Sequence, residues 1–273
     1  MEKRRKYLLI LIVGICIGIM AVSLLYLINL DIMETTITTT DGAFQVLIAL
    51  IIRISILAGM AIYLIIRWFS QEEIYTSDLP FLFGMFFLIL MYGKLLDVLT
   101  NFLYPSVSSE VYLTYLKIRQ LSVIGTLAPM IFLSIMMIFT LLQVNGKIKK
   151  YSDSKEINII SLKILIIIAI IEAIIIIITP NTTFAGINFA IFVVFSLLVI
   201  TWIFYFSYRN KRLSQVHPLI VAIGFTAYLF SNILRPIAQN IIGENALFIV
   251  ITEIIDIIIG LVIFIGYIKK VKY

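Results

Sequence analysis

The chain has 273 residues, of which 62% are hydrophobic and only 13% charged, a balance far outside that of soluble globular domains. The net charge of +6 does not point to nucleic acid, because the basic residues stand between apolar runs, where they fix topology and meet anionic lipid headgroups. With a single cysteine, Cys16, and a single histidine, His217, the chain has no disulfide framework and no Cys/His metal site.

A hydrocarbon core of about 30 Å needs roughly twenty helical residues, and eight windows of that length follow one another along the chain. The first, Tyr7 to Leu30, follows the basic start Lys3, Arg4, Arg5 and Lys6. It is too long for a signal-peptide core and is expected to be retained. Its Gly14 and Gly18 form a small-residue face suited to packing inside the bundle or to a homodimer seam, and Cys16 reads as a packing residue. The second and third windows are Ala43 to Phe69 and Leu79 to Leu103, with Asp41-Gly42 and Pro80 as turn signals. The connection from Asn101 to Gln120 is the longest expected outside. Its Tyr104, Tyr112, Tyr115, Lys117 and Arg119 suit either a short helix lying in the interface or a fourth helix that starts early, near Val111, and is long and tilted.

The fourth window, Leu121 to Val144, carries Pro129 and ends at Asn145-Gly146. The fifth and sixth, Ile157 to Thr179 and Phe184 to Tyr208, are joined through Pro180-Asn181, with a sequon at Asn181-Thr182-Thr183. The seventh and eighth, Val216 to Asn240 and Asn245 to Ile268, are divided by Gly243. His217-Pro218 opens the seventh, where His217 reads as a helix-start residue, and Pro236 permits a kink inside it. The expectation is an all-α polytopic bundle of eight transmembrane helices forming one membrane domain over residues 1–273, without a soluble domain.

Orientation follows from Lys and Arg. With both termini in the cytoplasm, the basic residues outside the spans fall inside, including Lys147, Lys149, Lys150, Arg209, Lys211, Arg212, Lys269, Lys270 and Lys272. Lys117 and Arg119 are the exceptions. The expected location is a plasma membrane, and the isoleucine-rich runs fit a prokaryotic, AT-rich genome.

Seven ionisable residues lie within the windows: Arg53, Lys94, Asp97, Glu172, Arg235, Glu253 and Asp256. Each costs about 2.5–3.5 kcal/mol at a helix centre, so each is expected to face protein, water or another charge. Running alternate spans outward and inward puts all seven in the outer half or near the midplane, while the cytoplasmic halves are apolar. Residues three and four apart share a helix face. This gives stripes of Lys94, Asp97 and Asn101 on the third span, of Tyr228, Asn232, Arg235 and Gln239 on the seventh, and of Glu253 and Asp256 on the eighth. Glu253 and Asp256 repel each other one turn apart unless Arg53, Lys94 or Arg235 stands between them, and in either case they are the expected proton-sensitive pair.

These residues form the expected charge network or ligand site. Its bland reading is structural glue that fixes helix register. Its functional reading is a sensor or receptor-like module whose outward pocket responds to a small polar ligand or to protons. A secondary transporter of a small polar or zwitterionic solute is the alternative, and a structural subunit of a membrane complex the third. No catalytic, metal or nucleotide motif is present and no cofactor is expected; an enzyme is the less favoured class. Expected partners are membrane lipids, a small polar ligand, and a cytoplasmic or membrane protein, with no nucleic acid.

Overall fold

The computed structural model describes residues 2–103, 107–144, 154–243 and 245–271, which form nine α-helices: α1 Glu2–Ile28, α2 Leu30–Thr39, α3 Ala43–Phe69, α4 Leu79–Leu103, α5 Ser109–Val144, α6 Ser154–Ile178, α7 Thr182–Arg209, α8 Pro218–Ile242 and α9 Ala246–Ile268. Eight of them, all but α2, are long and apolar enough to cross a membrane. The chain is a multi-pass, all-helical membrane protein. Tyr104, Pro105, Asn145-Gly146, Lys147, Lys149, Lys150 and Lys272 lie outside the described residues.

Two differences from the expected elements have a physical origin. The segment between the first two spans is helical: α2 is a ten-residue helix rather than a loop. Its β-branched threonines are poor helix formers, but Thr35, Thr36, Thr38 and Thr39 each donate a hydroxyl to the carbonyl four residues back, at 2.7–2.9 Å. Met33 and Thr36 are buried, and Thr36 also donates to the Phe102 carbonyl of α4 at 3.1 Å. Gly42, at φ 79°, then supplies the left-handed turn into α3.

The second difference concerns α5. It begins at Ser109 and runs for 36 residues, so the early-starting long helix is realised and the interfacial connection is not. No proline and no turn pair stands between Ser109 and Pro129, and Glu110 sits in the first turn, where an acid complements the helix dipole. At about 1.5 Å per residue α5 spans roughly 54 Å, against a core of about 30 Å. The helices pass through Pro129 and Pro236 without ending.

The chain divides into two compact units, residues 1–126 and 127–273, with the boundary inside α5. In the first unit α3 and α4 pack as an antiparallel hairpin. Trp68, fully buried at its turn, donates to the Tyr75 carbonyl at 3.0 Å and to Asp78 at 3.2 Å. In the same turn Tyr75 donates to Glu73 at 2.5 Å, a bond that holds the phenol above its ordinary pKa. Helix α1 is held differently. Most of its apolar side chains are exposed, and polar contacts fasten it. Tyr92 of α4 donates to the Ile15 carbonyl at 3.0 Å, Tyr26 of α1 donates to the Leu95 carbonyl at 2.7 Å, and Arg4 donates to the Gln71 and Glu72 carbonyls. Gly18 is where the Tyr92 ring sits, since a Cβ there would meet the ring at 2.9 Å. Gly18 therefore serves packing within the chain, whereas a Cβ on Gly14 would meet nothing within 4 Å. Cys16, expected to pack, is exposed.

In the second unit α8 packs on both α7 and α9. Phe204 and Phe225 stack at 6.0 Å between α7 and α8, both fully buried. Helices α8 and α9 approach to backbone contact, because a Cβ on Gly266 would stand 2.7 Å from the Val221 nitrogen. Close approach at small residues is how helices associate without a hydrophobic driving force. Gly266→Ala is expected to destabilise the protein by about 1–3 kcal/mol, the cost of overpacking, read as a lower unfolding temperature in detergent. An unchanged temperature would show that α8 and α9 do not meet at this point.

Candidate functional site

The ionisable residues of the spans gather into a cluster within each unit. In the first unit Arg53 of α3 and Lys94 and Asp97 of α4 are all buried. Lys94 Nζ lies 2.7 Å from Asp97 Oδ2, one helical turn away on the same face. The other carboxylate oxygen, Oδ1, accepts from Arg119 Nε of α5, and Arg53 stands within electrostatic reach of Asp97. Asp97 is thus engaged by cations on both oxygens, the arrangement a buried carboxylate requires. Asn101, expected on the same stripe, is exposed on the last turn of α4.

Arg119 is not among the expected members of the charge network, although the early-starting fourth helix carries it. It is on α5 because the helix starts ten residues before it, and its side chain is part-buried against Asp97. A signal for this was available: Tyr112, Tyr115 and Arg119 recur at helical spacing. Tyr115 also receives a hydrogen bond from Asn29 Nδ2 at 2.7 Å. The polar face of the first three turns of α5 is therefore used inside the first unit.

In the second unit Arg235 of α8 stands between the two acids of α9. Its Nη2 is 3.0 Å from Asp256 Oδ2 and 3.7 Å from Glu253 Oε1. Ser231, one turn earlier on α8, donates to Asp256 Oδ1 at 2.8 Å, so both oxygens of Asp256 are hydrogen-bonded. The Arg235 guanidinium offsets the repulsion that Glu253 and Asp256 would otherwise feel across one turn. It is engaged at one end only: Nη2 makes both acid contacts, while Nε is buried with no hydrogen-bond partner. The Arg235 side chain retains 28% exposure against 5% for either acid.

Other expected members stand apart from this triad. Glu172 of α6 hydrogen-bonds Asn188 of α7. Asn232 turns its amide back to its own helix, donating to the Tyr228 carbonyl at 2.8 Å, and Gln239 is half-buried one turn beyond Arg235. Asn181 and His217 are helix N-caps, accepting from the Phe184 and Ile220 backbone nitrogens at 2.9 and 3.4 Å. Among the described residues no three of His, Cys, Asp and Glu converge to hold a metal ion.

Comparison with protein families, with curated proteins and with solved structures finds no match for this chain. The class is carried by the fold itself, a polytopic all-α membrane protein with buried ion pairs in its helices.

If these pairs act as units, each has a measurable coupling. For Arg235→Ala and Asp256→Asn, alone and together, the double variant is expected to be less destabilised than the sum of the singles, by about 1–3 kcal/mol. The same cycle on Asp97→Asn and Arg119→Gln should return a coupling of the same sign. Additive unfolding free energies at either pair would show that its ions do not stabilise each other.

Proposed function

We propose that this protein is a sensor or receptor-like membrane module that responds to a small polar ligand or to protons through its buried charge clusters. The observation that carries this reading is Arg235, a half-buried guanidinium fixed on two buried acids by one nitrogen only. A guanidinium offers five N–H donors in a planar fork that fits a carboxylate bidentately. Arg235 therefore has donors to spare for a ligand carboxylate, while the carboxylates of Glu253 and Asp256, already engaged by protein donors, stand beside it as counter-charge for a ligand ammonium. A zwitterionic amino compound satisfies both.

The clusters lie in the outer halves of the helices when the termini are placed inside by the Lys and Arg distribution, and the inner halves are apolar. Transport requires polar contacts or broken helices leading to both faces, whereas a sensor needs a site on one face and a helix pair whose packing the ligand biases. Helices α8 and α9 supply such a pair, since the acids and the cation that join them stand on opposite partners.

Thermal unfolding in detergent, across pH and a panel of amino acids, nucleosides, sugars and ions, tests the proposal. A zwitterionic amino compound is expected to raise the unfolding temperature by several degrees, with the effect lost in Arg235→Gln, and to show no flux in proteoliposomes. Saturable flux would instead establish a transporter. A flat response to the whole panel and to pH would leave the charges as structural ties and defeat the sensor reading.

A further inference from the structure

The opposite end of the second unit carries a second constellation, and the sensor reading does not use it. Three helix ends are tied together there. The Tyr208 ring, in the last turn of α7, stacks on His217 at the start of α8, with centroids 6.2 Å apart and planes 17° apart. The His217 backbone nitrogen donates to the Gly266 carbonyl of α9 at 2.7 Å. These contacts bring the α7–α8 connection beside the residues that follow α9. Arg209, Lys211, Lys269 and Lys270 are all exposed in these two segments, and Arg212 is half-buried beside them. Among the described residues of this unit, the acids Glu172, Glu253 and Asp256 belong to the other half of the helices, and only Glu156, at the start of α6, stands at this end.

The connection is not a slack tether. Lys211 and Leu213 adopt φ of 53° and 62°, the left-handed region that side chains other than those of Gly and Asn seldom occupy. Backbone bonds hold it in that shape: Arg212 N donates to the Ser207 carbonyl at 2.8 Å and Lys211 N to the Tyr208 carbonyl at 3.1 Å. Positive charge that only sets topology has no need of a fixed backbone, because counting over a loop suffices. Here the charges are presented in one arrangement. The depth is marked as well, by Trp202, Tyr205 and Tyr208, which are exposed at successive three-residue steps along the last turns of α7. Exposed Trp and Tyr settle at headgroup level in a bilayer, which puts Arg209 and Lys211 at the phosphates.

We propose that the α7–α8 connection and the end of α9 together form a binding site for the headgroup of an anionic phospholipid. The guanidinium of Arg209 offers the fork that phosphate oxygens fit, and Lys211, Lys269 and Lys270 surround it with point charges. The acyl chains lie along the aromatic and aliphatic face of α7.

The test is native mass spectrometry of the full chain released from nanodiscs of equimolar phosphatidylglycerol and phosphatidylcholine. Retained lipid is expected to favour phosphatidylglycerol about tenfold, a preference that weakens in high salt because it is electrostatic. Arg209→Gln with Lys211→Asn, the asparagine chosen because it tolerates the left-handed backbone, should bring the ratio near parity. Lys269→Gln with Lys270→Gln should lower it part of the way, and Arg67→Gln, at the end of α3, should leave it unchanged. Leu213→Gly keeps every charge but frees the connection, and is expected to lower the preference as well. Equal retention of the two lipids by the wild type overturns the proposal, as does a preference that survives both double variants. Saturable binding of a polyglutamate peptide with lipid parity would assign the surface to an acidic protein and also overturn it. Should the double variants fail to insert, the salt dependence of the wild type decides: a preference indifferent to salt rules out headgroup charge as its cause.

Discussion

A charge inside hydrocarbon has no water to solvate it, so its counter-charge must come from the protein. Much of this structure can be understood from that constraint. Asp97 draws a cation from its own helix and another from α5, and Asp256 draws one from α8. These bonds set which face of each helix turns inward and where along its length it meets its neighbour. The apolar side chains contribute less direction, because lipid tails are as apolar as leucine and isoleucine. What apolar packing adds is closeness, at positions such as Gly266 where two backbones touch.

The arginine triad of the second unit shows how such a tie leaves part of an ion uncovered. A lysine in place of Arg235 would be a point charge held by two acids. The guanidinium is larger than the contact it makes, and part of it stays accessible while the acids are covered. On the sensor reading proposed above, the same ion is both a bracket between helices and the contact for the ligand. In the first unit Asp97 is likewise engaged on both oxygens, by Lys94 of its own helix and by Arg119 of α5.

Spans were legible wherever a long apolar run ended in turn chemistry. The second and third windows coincide with α3 and α4 to the residue, because Gly42 and Pro80 stand at their starts. Helix made of polar or β-branched residues carries no such signal. Hydropathy has no view of Ser109 to Gln120, which is helical and half polar, and threonines in α2 are stabilised by hydroxyl bonds that a propensity scale does not contain. Site residues followed the same division. Arg53, Lys94, Asp97, Arg235, Glu253 and Asp256 are evident as charges in apolar sequence, whereas Arg119 is hidden among other polar residues and only its helical spacing betrays it. Which acid meets which cation was not legible, because pairing depends on helix rotation, and one residue turns a helix by about 100°.

Helix α1 has few interlocking side chains, and the two tyrosine bonds it exchanges with α4, one in each direction, act as a vernier. Rotating or sliding α1 by a single residue moves both carbonyls out of reach at the same time, and in hydrocarbon neither hydroxyl finds a water to replace its partner. Partial displacement is therefore the least favourable state. The helix is either in register or released, and a contact as small as two hydroxyl groups makes its attachment digital rather than elastic.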